Sequence, residues 1–167
     1  MKEMLSPRLD LTVEQLAGVE KCLYSLQQET GACWVLLTDV AGQFISERGL
    51  LHSMNSLNVE ALSALAAGNL ATTREMAKLI GEGARFKLLL YEGECQSVYL
   101  SDVGGELVLV TAFNNSTPTS TVRLHTRQAV DRLGEILHES GAMVSPPVTG
   151  LDEDFGPLLA SEMDFSF

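Results

Sequence analysis

The histidines of this sequence are the side chains best suited to acid–base or metal chemistry, and their spacing does not favour either. His52, His125 and His138 lie far apart, and no two of them have the i, i+4 spacing with which one helix presents two metal ligands. None of them belongs to a recognisable nucleophile motif. We therefore expect no metal site and no histidine-based active site, and we place His125 and His138 on the surface of a helix.

The cysteines could supply a nucleophile, a redox pair or a zinc site. Cys22, Cys33 and Cys95 are odd in number and widely separated, with no C-x-x-C pair among them. Cys33 stands beside Trp34 at the start of an apolar run, where a free cysteine usually behaves as a small core residue. The expected state is three reduced, largely buried thiols without catalytic chemistry.

Two glycine clusters could contact phosphate if they belonged to a phosphate-binding loop. The clusters Gly81-Glu82-Gly83 and Gly104-Gly105 both lack the Lys-Ser/Thr that such a loop requires. Neither is expected between a strand and a helix in the required order. The chain is thus expected to bind no nucleotide by itself and to use no cofactor.

Composition and charge narrow the class of partner. The chain has 167 residues, is 46% hydrophobic and carries a formal net charge of −11, which suits one domain with a sizeable core. A strongly negative protein is poorly suited to nucleic-acid phosphates or anionic lipid. No segment approaches the roughly 18 apolar residues that cross a bilayer, and the first residues lack a secretory signal. We expect a cytoplasmic protein whose partners are proteins with at least one basic face.

The hydrophobic pattern predicts the element order α-β-β-α-β-β-β-α. The expected helices cover residues 12–30, 59–80 and 120–140, and the expected strands cover 33–38, 43–47, 86–91, 97–100 and 107–113. Thr12 and Gln15 have the spacing of a capping box, and Asn58 is the expected N-cap of the long second helix. This order is typical of an α/β (α+β) domain with one mainly antiparallel five-stranded sheet flanked by helices on both faces.

Charge divides the chain into segments. No Lys or Arg follows Arg132, whereas residues 141–167 contain five acidic side chains. The stretch Ser145-Pro146-Pro147 cannot continue a helix. We therefore expect an N-terminal extension over residues 1–11, a domain over 12–140 and an acidic C-terminal tail over 141–167.

The long helix carries a stripe of small residues, Ala64, Ala67, Gly68 and Ala71, at i, i+3, i+4 and i+7. A mid-helix glycine costs about 1 kcal/mol relative to alanine, which suggests that another chain segment approaches the backbone closely. That segment could be the protein's own sheet or a second molecule, and spacing alone does not separate the two. A stripe of large residues is available to face the sheet: Leu62, Leu65, Met76, Leu79 and Ile80. If the large residues face the sheet, the stripe of small residues is left for contact with a second molecule.

Several segments resemble the roadblock/LC7 domain family and, within it, the bacterial gliding-protein MglB type. They are Trp34-Val35-Leu36-Leu37-Thr38-Asp39, Gly42, the helix from Leu62 to Glu82, and the later VYLSDVG and LVLVTAF. The resemblance covers about residues 12–140 and does not extend to the acidic tail. It implies the roadblock/LC7 fold and a homodimer in which two sheets join through the strand after the long helix. The two long helices then lie side by side.

The resemblance also implies a partner, a small Ras-like GTPase of the MglA type that docks on the helix pair. The partner-binding residues expected on the long helix are Ala64, Ala67, Gly68, Ala71, Arg74, Glu75 and Lys78. The expected dimer interface consists of Phe86, Leu88, Leu90, Gly68 and Ala71. Such a regulator remodels the switch loops while the GTPase supplies the catalytic groups, so the resemblance does not require an arginine finger at Arg74.

The leading hypothesis is therefore a homodimeric regulator, GTPase-activating or switch-remodelling, in bacterial polarity or motility, with no active site of its own. The alternative is a scaffold or adaptor subunit that positions partners without changing the GTPase rate. An enzyme or a ligand-sensing domain is disfavoured because the sequence lacks a catalytic constellation.

The acidic tail has a composition suited to docking. From Leu151 to Phe167 it combines five acids with too few apolar residues for a core but enough for a binding segment. The residues expected to dock are Phe155, Leu158, Leu159 and Phe165. A solvated tail that only aids solubility is the alternative. The phenylalanines favour docking, and the acids should then meet a basic face of the GTPase.

Overall fold

The computed structural model describes residues 9–50, 58–81, 83 and 86–141. These residues form helices α1 (Val13–Thr30), α2 (Val59–Leu79) and α3 (Thr119–Gly141), and strands β1 (Trp34–Asp39), β2 (Phe44–Gly49), β3 (Leu88–Glu92), β4 (Gln96–Val103) and β5 (Leu107–Asn114). The element order predicted from the sequence is confirmed. The largest difference is at β4, which continues to Val103 because the reversal of the chain is made by Gly104 and Gly105, at φ 62° and 82°.

The five strands form one sheet in the order β2-β1-β5-β4-β3, and each neighbouring pair is antiparallel. Strand β5 is buried from Leu107 to Phe113 because helices cover both faces of the sheet. Strands β2 and β3 lie at the two edges. The predicted five-stranded antiparallel sheet is therefore confirmed, and its edges are the strands with unpaired backbone groups.

Each face of the sheet has its own hydrophobic cluster. On one face, α2 packs its residues Ala66 and Leu70 against the sheet residues Leu36, Leu100, Val108 and Val110. On the other face, the rings of Tyr99 and Phe113 stack with centroids 5.4 Å apart, and Val122 of α3 joins them. The alternation of side chains along β4 and β5 thus supplies two separate cores from the same strands.

Helix α1 shows the predicted capping box. The backbone N–H of Gln15 donates to Thr12 Oγ1 at 3.2 Å, and the backbone N–H of Thr12 donates to Gln15 Oε1 at 2.8 Å. The helix ends at Gly31, whose φ of 63° closes it in the left-handed conformation. Gln15 Nε2 also donates to the carbonyl of Ile136 at 3.0 Å, so the capping residue links α1 to α3.

The chain divides into two units, Met1–Ile136 and Leu137–Phe167. The first contains the whole sheet, α1, α2 and most of α3. The second is described only to Gly141, so the expected tail residues Phe155, Leu158, Leu159 and Phe165 lie outside the described residues. None of the helices in the described part is long and apolar enough to cross a membrane.

Candidate interaction site

Helix α2 presents mostly small residues to the sheet. The helix begins at Asn58, whose Oδ1 accepts a hydrogen bond from the backbone N–H of Ala61 at 3.0 Å, as predicted for an N-cap. Its buried residues are Ser63, Ala66, Ala67, Leu70, Thr73 and Ala77. Small side chains at these positions allow the helix backbone to lie close to the strands.

The prediction that the large residues of α2 face the sheet is wrong for four of them. Leu65 is 70% exposed, Met76 53%, Leu79 87% and Ile80 69%, and only Leu62 packs against the core. Leu65, Met76 and Leu79 stand at i, i+11 and i+14, which places them along one side of the helix. We call these four exposed residues the α2 apolar line. Since large exposed apolar surfaces are used for binding, we treat the α2 apolar line as the candidate interaction surface.

Gly68 lies among these exposed residues. A Cβ atom built at Gly68 would have no neighbour within 4 Å in the described structure. No contact among the described residues therefore explains why alanine, which is more favourable in a helix by about 1 kcal/mol, is absent here, and the same holds for Gly134 in α3. A close approach by another molecule would explain it.

The other members of the small-residue stripe have different environments. Ala67 is 6% exposed and faces the sheet, so its expected role in partner binding is not compatible with its position in the single chain. Ala64 is exposed, but a Cβ added at Gly42 would lie 2.9 Å from Ala64 Cα. The close approach of the α2 backbone at Ala64 is thus a reason for glycine at position 42 in the turn between β1 and β2. Gly68 and Ala71 remain as exposed small residues of the stripe.

Arg74 connects α2 to the turn between β4 and β5. Its Nη2 donates to Asp102 Oδ2 at 3.2 Å and to the carbonyl of Gly105 at 3.0 Å. The Asp102 side chain is 3% exposed, and its Oδ1 also accepts from the backbone N–H of Gly105 at 2.8 Å. Arg74 is therefore held by its own domain, and its guanidinium already has partners that an arginine finger would have to leave.

Glu75 and Lys78 form an exposed i, i+3 ion pair, with Lys78 Nζ 2.7 Å from Glu75 Oε1. Such a pair contributes at most about 1 kcal/mol to stability. Both side chains lie beside the α2 apolar line at its C-terminal end, where charged groups can give polar contacts to a docked partner. Their expected role in partner binding remains a prediction.

Strand β3 leaves its outer edge without a partner among the described strands. Leu88 faces Ser101 of β4 and Leu90 faces Tyr99 in the register of the pair. The backbone N–H of Asp102 donates to the carbonyl of Lys87 at 3.3 Å. With antiparallel alternation, this bond directs the N–H groups of Leu88 and Leu90 away from β4 and towards the open edge.

The third residue expected at the interface, Phe86, precedes β3 instead of lying in it. The described pairing of β3 with β4 begins at Leu88 and Ser101, although β4 itself continues to Val103. Phe86 is half-buried. At the other end of β3, the Tyr91 hydroxyl donates to Asn69 Oδ1 at 2.7 Å, which joins the edge strand to α2. The sequence pattern did not reveal this contact, because neither residue type is distinctive alone.

The cysteines differ in burial. Cys22 and Cys33 are buried as expected, whereas Cys95 is exposed because it lies in the turn between β3 and β4. Burial raises the pKa of the Cys22 thiol, which opposes nucleophilic reactivity. Cys33 Sγ lies 3.4 Å from Asn114 Oδ1. Cys22 and Cys33 thus have the environments of structural thiols.

His125 lies at the border of a small groove between α1 and α3. Its Nδ1 is 3.0 Å from Glu29 Oε2. Cys22, Ser25, Gln128 and Arg132 are among the other lining residues, and the groove holds about 50 Å³. This is far smaller than the roughly 300–1,000 Å³ of ligand pockets. Across the described ranges there is also no cluster of potential metal ligands, and His52 lies outside those ranges.

Comparison with known proteins agrees with this architecture. The family described as "Roadblock/LC7 domain" matches residues 18–113. The solved structure of Myxococcus xanthus MglB is 34% identical with a TM-score of 0.72, and the match covers 78% of this chain and 96% of that one. The gliding protein MglB from Thermus thermophilus is 32% identical with a TM-score of 0.74, covering 81% and 99%.

A further structure, of MglB with a tetrameric arrangement, is 31% identical with a TM-score of 0.74, and the match covers 81% of this chain and 98% of that one. No curated protein sequence matches the chain. Since the family match spans more than half of the sequence and the similar structures are covered almost completely, this chain belongs to the roadblock/LC7 domain family.

Proposed function

We propose that the chain is a homodimeric regulator of a small Ras-like GTPase of the MglA type, in bacterial polarity or motility, which activates hydrolysis or remodels the switch loops. The observation that carries this proposal is the α2 apolar line, in which four large side chains are 53–87% exposed. Full burial of a side chain of this size contributes about 1.5–3 kcal/mol relative to exposure. Burial of the α2 apolar line by a partner would therefore contribute favourably to the free energy of binding.

A second copy of the chain suits part of this exposed surface. The open edge of β3 presents outward backbone donors at Leu88 and Leu90, and an unpaired edge of this kind favours pairing with another strand. Edge-to-edge pairing of β3 with β3 would bring two α2 helices onto one face of a continuous sheet. One similar MglB has been solved in a tetrameric arrangement, which supports self-association as a property to test here.

A GTPase suits the remainder of the surface because the resemblance to MglB implies this class of partner. The exposed part of the helix pair would combine apolar contacts from the α2 apolar line with the polar Glu75 and Lys78. Arg74 is engaged with Asp102 and Gly105, so the catalytic groups would come from the GTPase. The net charge of −11 would accelerate association with a basic face of the partner at low salt.

The first prediction is that the purified protein accelerates GTP hydrolysis by an MglA-type GTPase. The single-turnover rate of phosphate release should increase by roughly tenfold or more. The increase should stay below the factor of about 10³–10⁵ that an arginine finger supplies. Leu65→Asp should remove this effect because it places a charge in the α2 apolar line. Val13→Asp is the matched control, since Val13 is 86% exposed at the start of α1, outside this surface.

Two results would change the conclusion. Tight binding that depends on Leu65 but leaves hydrolysis unchanged would establish the scaffold or adaptor alternative. An absence of binding to the GTPase, with the protein folded, would contradict the proposal as a whole.

A further inference from the structure

Helix α3 carries a basic strip that the proposed GTPase surface does not use. Arg123 and Arg127 are both exposed, one helical turn apart, and Leu124 between them is 55% exposed. We call these three residues the α3 basic strip. No carboxylate in the described ranges lies within ion-pair distance of either arginine. In a chain with a net charge of −11, two unpaired neighbouring arginines are an unusual local feature.

The order of charges along α3 is unfavourable for the helix itself. The helix has no acid in its first turn, and Asp131, Glu135 and Glu139 all follow Arg123 and Arg127, while Arg132 and His138 lie in its C-terminal half. The helix dipole favours acids near the N-terminus and bases near the C-terminus, which is the reverse arrangement. Like charges at i, i+4 also repel, as Arg123 and Arg127 do. Arg127 has an acid four residues later, Asp131, but Arg123 has only Arg127 at that spacing. Helix stability therefore does not explain Arg123, whereas an anionic partner would.

The acids near the strip do not neutralise it. Burial raises the pKa of Tyr99, while Arg123 lowers it and Glu92 raises it, so both charges act near the same hydroxyl. Glu92 is nevertheless too far from Arg123 to form an ion pair. On the α1 side, Glu29 Oε2 lies 3.0 Å from His125 Nδ1 and is not within ion-pair distance of either arginine. The two guanidinium groups thus remain available for an external carboxylate.

We propose that the α3 basic strip binds the acidic segment 151–167 of a second copy of the chain. That segment carries Asp152, Glu153, Asp154, Glu162 and Asp164, without a single Lys or Arg, together with three phenylalanines. Its acids complement the two arginines, and a phenylalanine can pack on Leu124 or stack on a guanidinium group. The ten or so residues between Gly141 and Leu151 can span about 35 Å, which gives the segment ample reach.

A membrane is a poorer occupant of the same strip. A chain with a net charge of −11 would bring many acidic side chains to an anionic lipid surface along with two arginines. A peptide segment contacts the strip alone and avoids this repulsion. This contact does not require a GTPase. It would nevertheless affect GTPase binding by the acidic segment, because the segment must dissociate from the second copy before it can bind any other protein.

Site-specific photocross-linking of the full-length chain tests the proposal without a GTPase. Phe165 is replaced by benzoylphenylalanine in ¹⁵N-labelled protein, which is mixed and allowed to exchange with unlabelled full-length protein. Mass spectrometry then identifies the cross-linked peptides and the isotope of each. We expect heavy–light products between the segment and residues 119–132 of α3. Their yield should fall as salt rises, because the Debye length shortens from about 10 Å at 0.1 M to 3 Å at 1 M.

Substitutions in the unlabelled chain show whether the arginines are responsible. The double variant Arg123→Gln and Arg127→Gln should lower the heavy–light yield roughly fivefold or more, as expected for the loss of two surface charge contacts. The double variant Arg123→Lys and Arg127→Lys should retain most of it. Arg48→Gln, an exposed arginine on β2, is the control and should change nothing. Cross-links elsewhere, same-isotope products only, or a yield independent of the two arginines would overturn the proposal.

Discussion

Gly68 is a mid-helix glycine beside the α2 apolar line, and no described residue lies within 4 Å of the position that its Cβ would take. Because the space around its missing Cβ is empty, substitution should not disturb the described domain. We expect Gly68→Arg to keep the far-ultraviolet circular dichroism spectrum but to lower the affinity for the GTPase at least about tenfold, since docking would bury an unpaired charge. Isothermal titration calorimetry measures the affinity.

Gly134→Arg is the matched control for this substitution. Gly134 also lies inside a helix, α3, with no neighbour within 4 Å of its Cβ position. This variant should therefore bind the GTPase normally. Full affinity of a folded Gly68→Arg variant would mean that the partner docks elsewhere, and its unfolding would mean that position 68 packs within the domain. Ala64 is less suitable for the test because its backbone already contacts Gly42.

The ends of the helices could be predicted from the sequence, because they depend on residues that are close together in the chain. The capping box of Thr12 and Gln15, the N-cap at Asn58 and the left-handed Gly31 all follow from bonds within one turn. The orientation of α2 could not be predicted in this way. Its small and large residues both recur at helical spacing, so the pattern defines two stripes without indicating which one faces the sheet. Neither stripe as a whole faces the sheet, because Leu65 of the large stripe and Gly68 of the small one are both exposed. The buried face of α2 is a third set of residues: Ser63, Ala66, Ala67, Leu70, Thr73 and Ala77.

In strand β3, the role in dimerisation can be tested separately from the role in folding. The N–H of Leu90 points to the open edge, so Leu90→Pro removes a donor that β4 does not use. Proline is tolerated on an edge strand in this orientation. We expect the variant to remain folded but to become monomeric, as measured by multi-angle light scattering. Leu88→Pro removes an equivalent donor, but Leu88 also packs against the cluster of Tyr99, Phe113 and Val122.

Leu89→Pro, on the same strand, should disrupt the fold of the subunit itself and not only the dimer. Its N–H points towards Leu100 of β4, so proline there breaks the ladder within the subunit and should destabilise the fold. A Leu90→Pro variant that stays a dimer would show that β3 is not the dimer edge. The sequence indicated an apolar strand here but not its limits, since β3 begins at Leu88 and not at Phe86 although Phe86 is also apolar.

At the scale of the whole molecule, stability should depend on association. The α2 apolar line and the open edge of β3 leave the single subunit with an exposed apolar surface and unpaired backbone groups. If two copies cover these features, unfolding also requires dissociation, and mass action makes the thermal midpoint rise with protein concentration. With typical unfolding entropies for a dimer of this size, the expected rise is about 2 °C for each tenfold increase in concentration.

Differential scanning calorimetry over a hundredfold range of concentration measures this dependence. The Leu90→Pro variant serves as the control, because a monomer unfolds at a midpoint that does not change with concentration. Its midpoint should also lie below that of the parent protein, since the stabilisation by the second copy is lost. A parent protein whose midpoint is constant over the whole range would unfold as independent subunits. The exposed surface of α2 would then be available entirely to another kind of partner, and homodimerisation would have to be abandoned as the reason for its composition.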